Sequence, residues 1–136
     1  NSIILIGPSG DTIDRTPRNN WYGHSEKYNL IIDDDPEFKN PIIDVSLIRS
    51  DYEASRNLDL GEYYWKVIGI NNDKITQSIT GNFAINSYLA YDIEENKLRN
   101  IGNVLSKIQS ITGFVILEPG KEIELEKGDY VIEQNE

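Results

Sequence analysis

The amino-acid sequence predicts an all-β protein of the sandwich type, and three observations carry that expectation. Apolar residues show little helical spacing; β-branched and aromatic residues instead gather in short runs. Gly, Pro, Asn and Asp punctuate those runs at short intervals, and these are the residues whose backbone or side-chain chemistry favours turns. Several runs alternate apolar with polar residues, the period-two pattern of a strand with one face buried.

Taken in order, the first run, Ile3 to Ile6, ends at Gly7-Pro8-Ser9-Gly10, where a missing donor and permissive dihedrals stop a strand. Thr12 to Trp21 follows with Pro17 inside it, which a strand tolerates only at an edge or bulge. Tyr22 to Ser25 make a loop. Tyr28, Leu30 and Ile32 then share one face of a strand that Asp33-Asp34-Asp35-Pro36 ends. In Ile42 to Ile48, Ile43, Val45 and Leu47 alternate with Asp44 and Ser46. Leu58 to Gly61 lead into Tyr63 to Gly69, the most β-prone stretch, and Asn71-Asn72-Asp73 turns it back. Ile75 to Ile85 reads as the strand that closes the sandwich, with Gly81 as a bulge.

This succession resembles a fibronectin type III-like domain of the microbial type, an immunoglobulin-like β-sandwich, over residues 3–85. Its carriers are the opening strand ending Gly7-Pro8-Ser9-Gly10, Trp21, Tyr28-x-Leu30-x-Ile32, the acidic turn into Phe38, and Tyr63-Tyr64-Trp65-Lys66-Val67 after Leu60-Gly61. The resemblance implies that Tyr63 is a corner tyrosine with its ring in the core and its hydroxyl on nearby backbone, and that Trp65 and Val67 pack against Trp21. Gly69 stands where a small Ala is common, and either residue is expected to leave space for the opposite sheet.

Beyond Ile85, Asn100-Ile101-Gly102-Asn103, Leu117-Glu118-Pro119-Gly120 and Gly128-Asp129-Tyr130 resemble small bacterial and archaeal Ig-like repeats of surface proteins and glycoside hydrolases. The expected organisation is a sandwich over 1–87 and a second, smaller β-module over 88–136, or else an extension of the first sandwich.

Composition narrows the partners. The 136 residues include 23 acidic and 13 basic side chains, a net charge of −10 that the two parts share equally. Such a surface repels a phosphate backbone and anionic lipid, so neither nucleic acid nor a membrane surface is expected as a partner. With no Cys, disulfides, thiolate nucleophiles and Cys-ligated zinc are excluded. No apolar run reaches the length of a membrane span, so no direct membrane insertion is expected. The chain starts at Asn1 instead of Met, as a fragment or processed form would.

Four groups of residues could carry chemistry. His24, the only histidine, sits in Gly23-His24-Ser25-Glu26 and could pair with Ser25 or Glu26, but no nucleophile elbow or second His accompanies it. Asp33, Asp34, Asp35 and Glu37 offer oxygens of the kind Ca²⁺ takes, yet the EF-hand order is absent and an Asp-rich turn accounts for them. Glu122, Glu124 and Glu126 alternate with Ile123 and Leu125, placing three carboxylates on one solvated face that guards an edge strand. Tyr22, Tyr52, Tyr64 and Tyr88 face outward by alternation and, if coplanar, would suit a sugar. Gly7-Pro8-Ser9-Gly10 lacks the Lys of a phosphate loop, and there is no Asn-x-Ser/Thr acceptor.

The expectation is therefore a non-catalytic module with no catalytic residue, no cofactor and no metal. It would act in spacing, adhesion or protein contact within a larger extracytoplasmic, secreted or surface-anchored prokaryotic protein, its partner a protein or cell-surface polymer. A carbohydrate-binding accessory module and a receptor sensor ectodomain are the alternatives.

Overall fold

The computed structural model describes residues 2–86 and 88–134, and among them secondary structure is strand and turn, with no helix. The protein is all-β. Its strands are β1 (Ile4–Gly7), β2 (Gly10–Thr12), β3 (Arg18–Tyr22), β4 (Lys27–Asp33), β5 (Ile43–Leu47), β6 (Asp51–Glu53), β7 (Gly61–Asn71), β8 (Lys74–Gln77) and β9 (Gly81–Ile85). They continue with β10 (Leu89–Asp92), β11 (Lys97–Asn100), β12 (Ser106–Ser110), β13 (Gly113–Leu117), β14 (Glu122–Glu124) and β15 (Val131–Glu133). The chain forms two compact units. The first takes residues up to Thr12, 16–56 and 61–84; the second takes 13–15, 57–60 and the chain from Ile85 onward. Beside the linear 1–87 and 88–136 division expected from sequence, the second unit begins at Ile85 and also takes two earlier segments, whose residues Arg15 and Leu58 bond each other.

In the first unit one sheet runs β1-β3-β6 and the other β2-β9-β7-β4-β5, with β8 also on β7. The antiparallel ladder between β4 and β7 sets the core, since Leu30 opposes Val67 and Ile32 opposes Trp65. These four side chains are at most 1 % exposed, as the alternation of both segments requires. The sheets meet face to face. Trp21 of β3 lies edge-on to Tyr28 of β4 with ring centroids 5.5 Å apart, and Tyr63 stacks on Phe83 at 5.3 Å.

Several expected boundaries move. Gly7-Pro8-Ser9-Gly10 does end β1, but it also passes the chain between sheets, because β1 pairs with β3 and β2 with β9. In the run Thr12 to Trp21, Thr12 closes β2 and strand resumes only at Arg18, which leaves Pro17 in a loop. The closing strand is split. Ser78 stops the ladder by accepting the Val67 N–H at its hydroxyl (2.9 Å) while its own N–H donates to the Val67 carbonyl (2.9 Å). Gly81 follows that break and is a point of close approach: a Cβ there would stand 2.9 Å from both Leu5 Cδ1 and Trp65 Nε1. Gly69 is equally confined, since a Cβ would lie 2.2 Å from Ser25 Oγ and 2.9 Å from Ile3 Cδ1. An Ala is therefore not the equivalent the sequence suggested.

The second unit has two three-stranded antiparallel sheets, β10-β11-β14 and β13-β12-β15. Leu98, Ile108 and Leu117 are buried between them, with Leu89, Ile123, Leu125 and Tyr130 packed against that cluster. Asn100, fully buried, organises the turns. Its side-chain amide donates to the carbonyls of Val104 (2.7 Å) and Leu117 (2.9 Å), its Oδ1 accepts the Gly102 N–H (3.0 Å), and its backbone bonds Lys121 and Gly120. A buried amide with its donors and acceptor satisfied holds a turn without a desolvation penalty. Gly102 sits over Tyr88 so closely that a Cβ would be 2.2 Å from the Tyr88 Cβ. That neighbour cannot rotate away, so Gly102→Ala is expected to cost about 1–3 kcal/mol by overpacking, read as a lower midpoint in urea unfolding.

Candidate functional site

The most elaborate polar constellation lies in the second unit and centres on Arg15, which is 1 % exposed. A guanidinium cannot shed its proton, so burial obliges it to find acceptors. Its Nε donates to the Leu58 carbonyl at 2.6 Å, Nη1 donates to the Gln134 carbonyl, and Nη2 lies 3.7 Å from Asp59. The guanidinium carbon stands 5.9 Å from the centre of the Tyr88 ring, and the Leu105 and Gln134 carbonyls share the single hydroxyl hydrogen of Tyr88. Backbone bonds lock the rest: Leu58 N–H to the Arg15 carbonyl (2.9 Å) and Arg15 N–H to Asn103 Oδ1 (3.1 Å). The chemistry available here is that of a fixed cation tying three stretches of chain together.

The sequence singled out Tyr88 as outward-facing, whereas it is fully buried. It precedes β10 instead of lying in it, so strand alternation does not set its direction. The other three candidate rings do not share a face. Tyr22 is 51 % exposed on the outer face of its sheet, while Tyr52 opposes Asn19 in the ladder and so points with that buried residue to the inner side. Tyr64 is half-buried on the outer side of the other sheet. The coplanar platform a sugar would stack on is not formed by these residues.

His24 is exposed and held by Tyr22, whose ring meets it edge-on at 5.1 Å and whose hydroxyl lies 2.8 Å from Nε2. Its neighbours face elsewhere: the Ser25 N–H donates to Tyr28 Oη and the Glu26 N–H to Asn71 Oδ1. In the acidic turn, Asp33 accepts the N–H groups of Asp34 (2.8 Å) and Asn40 (3.2 Å), and Asp35 accepts that of Glu37 (3.0 Å). These are turn-capping bonds. Among the described residues no group of three His, Cys, Asp or Glu side chains is arranged to hold a metal.

Glu122 and Glu124 lie on β14, an edge strand, as the alternation implies, while Glu126 falls beyond its end; the two have cross-strand partners that the sequence did not reveal. Glu122 opposes Arg99 and Glu124 opposes Lys97. The hydrogen-bonded Glu95, at 3.1 Å, and then Glu122 and Glu124 raise the Lys97 ammonium above the ordinary lysine value. The stabilisation from this raised pKa is complete below that ordinary value and fades as pH climbs through the folded-state value above it.

On their other side Ile123 and Leu125 face a groove of about 360 Å³ between β13 and β14. Ile108, Val115 and Tyr130 complete its apolar floor, and Glu124 and Glu126 stand at its margin. Tyr130 is fixed there, its hydroxyl donating to the Glu126 carbonyl (2.8 Å) and accepting the Glu126 N–H (2.9 Å). Sequence reading placed Glu122, Ile123 and Glu124 on a strand but did not find the groove, which depends on which edges the two sheets leave facing each other.

No family model, no curated protein and no solved structure matches this chain.

Replacing Arg15 tests whether the buried cation is a staple. Arg15→Met keeps much of the volume but leaves the Leu58 and Gln134 carbonyls without their donor, at an expected cost of about 3 kcal/mol for two charge-assisted bonds. Arg15→Lys, a point charge without the fork, should restore little of it. Urea unfolding of the two variants beside the parent protein checks both expectations.

Proposed function

We propose that the chain is a non-catalytic structural and protein-contact module of a larger prokaryotic surface or secreted protein, its first unit of the fibronectin type III kind. The observation that carries this reading is the strand order of that unit. Leaving aside the short β2, the first, second and fifth strands make one sheet, and the third, fourth and sixth make the other with the closing β8 and β9. That order supports the resemblance drawn from Tyr28-x-Leu30-x-Ile32 and Tyr63-Tyr64-Trp65-Lys66-Val67.

The use of the polar side chains favours the same reading. His24, Asp33 and Asp35 serve turns and neighbouring rings, and Arg15 serves burial, so the groups able to do chemistry act as scaffold. A rigid sandwich that presents loops and strand edges acts by what it displays. The acidic surface, −10 overall, keeps such a module soluble and apart from anionic polymers.

Protease shaving of intact cells that make the protein tests the location. Peptides such as the Arg18–Lys27 segment should be released from the surface or found in the medium; recovery only after lysis would sink the reading. A parallel screen of the purified chain against insoluble polysaccharides, with and without Ca²⁺, should give no retention. Retention abolished by Tyr22→Ala without loss of stability would move the assignment to a carbohydrate-binding module.

A further inference from the structure

The geometry points to the groove between β13 and β14 as the seat of an added strand: an extended, basic-apolar segment of a partner polypeptide inserts there and pairs with the β13 edge. The inference rests on the protein-contact part of the reading above and is independent of where the protein resides.

Both flanks of the groove are strand edges. β13 is the outermost strand of β13-β12-β15, and β14 is the outermost strand of β10-β11-β14. Along β13, alternate residues direct N–H and C=O groups away from β12, and an incoming strand satisfies such groups. Proteins usually blunt an open edge with charge or proline, yet β13 reads Gly-Phe-Val-Ile-Leu and carries neither. Phe114 is 63 % exposed, and Val115 and Ile116 are each more than 40 % exposed.

The floor is continuous with the core. Ile108 is a buried member of the cluster, and Ile123, Leu125 and Tyr130 pack against it, so apolar side chains of an inserted strand would extend that cluster. A strand alternates its faces, so every second residue would point to the floor and the others to solvent and the lip. Charge specifies the occupant. Glu124 and Glu126 line the groove, the lining itself holds no basic residue among the described residues although the Lys107 ammonium stands 4.8 Å over the Phe114 ring, and the chain carries −10 overall. A second copy would bring the same negative charge, whereas Lys or Arg at the outward positions of a foreign strand would meet both glutamates. The mode of recognition is strand addition, with main-chain bonds giving affinity and alternate side chains giving selectivity.

Titration with two heptapeptides decides it, one alternating Lys with Val and the other Glu with Val. The Lys peptide should bind the full chain about tenfold or more tightly than the Glu peptide, weaken as salt is raised, and add an antiparallel strand signal in isotope-edited infrared spectra. Glu124→Lys with Glu126→Lys should invert the preference, and Val115→Asp should abolish binding of both peptides. Val115→Asp is judged only if its thermal melt is retained; the double charge reversal leaves the floor intact and decides the matter otherwise. Equal binding of the two peptides, or no binding of either, overturns the proposal. So does a Val115-dependent dimer in sedimentation, which would assign the groove to a second copy. Failure of the titration together with release of peptides from intact cells would remove the groove and leave the surface-module reading standing.

Discussion

Arg15 is buried as a permanent cation, and because a guanidinium has five donors and cannot neutralise itself, the chain around it has to supply acceptors from wherever they can be brought. The second unit is organised by that demand. Residues 13–15 and 57–60 are tied into it because Arg15 and Leu58 bond each other twice and Arg15 also bonds Asn103, and Gln134 is tied in because its carbonyl receives both Arg15 and Tyr88. A small β-unit with no Cys buries too little surface to rely on its apolar cluster alone. Arg15 joins residues 13–15, 57–60 and Gln134, and Asn100 ties the Val104 and Leu117 carbonyls, so polar bonds fix loops that the cluster of Leu98, Ile108 and Leu117 does not hold by itself.

The first unit depends on a different constraint, which is the close approach of its sheets. Gly69 and Gly81 sit where Ile3, Ser25, Leu5 and Trp65 leave no room for a methyl group, so Trp65 can lie flush against the opposing layer. The aromatic pairs then fill the interior with few torsions to freeze. Its carboxylates finish turns, as Asp33 does at the end of β4, and the surface stays acidic while the backbone of the loops stays bonded.

What the sequence made legible follows from the range of the interactions. Tyr28, Leu30 and Ile32, and Tyr63, Trp65 and Val67, announce their faces by period two, and each is buried as that period requires. Gly7-Pro8-Ser9-Gly10 announces a turn, though not that the turn changes sheets, because pairing with β3 or β9 is a long-range choice. The role of Arg15 was invisible, since its acceptors lie 43 and 119 residues away and its local context reads as part of the strand run Thr12 to Trp21. Tyr88 misled because alternation was extended past the end of a strand. Among the candidate site residues, the glutamate ridge and the acidic turn could be read locally, while the groove between β13 and β14 could not, being a property of two sheets and not of any one segment.

The dispersed membership of the second unit has a consequence for its synthesis. A ribosome delivers the chain from the amino end, so Arg15 emerges 119 residues before the Gln134 carbonyl that completes its shell. Until then the cation has to remain hydrated and its segment open, whereas the strands through β9, whose core is internal to them, can assemble. The arrangement makes Gln134 a timer: the small unit closes only when translation has reached it.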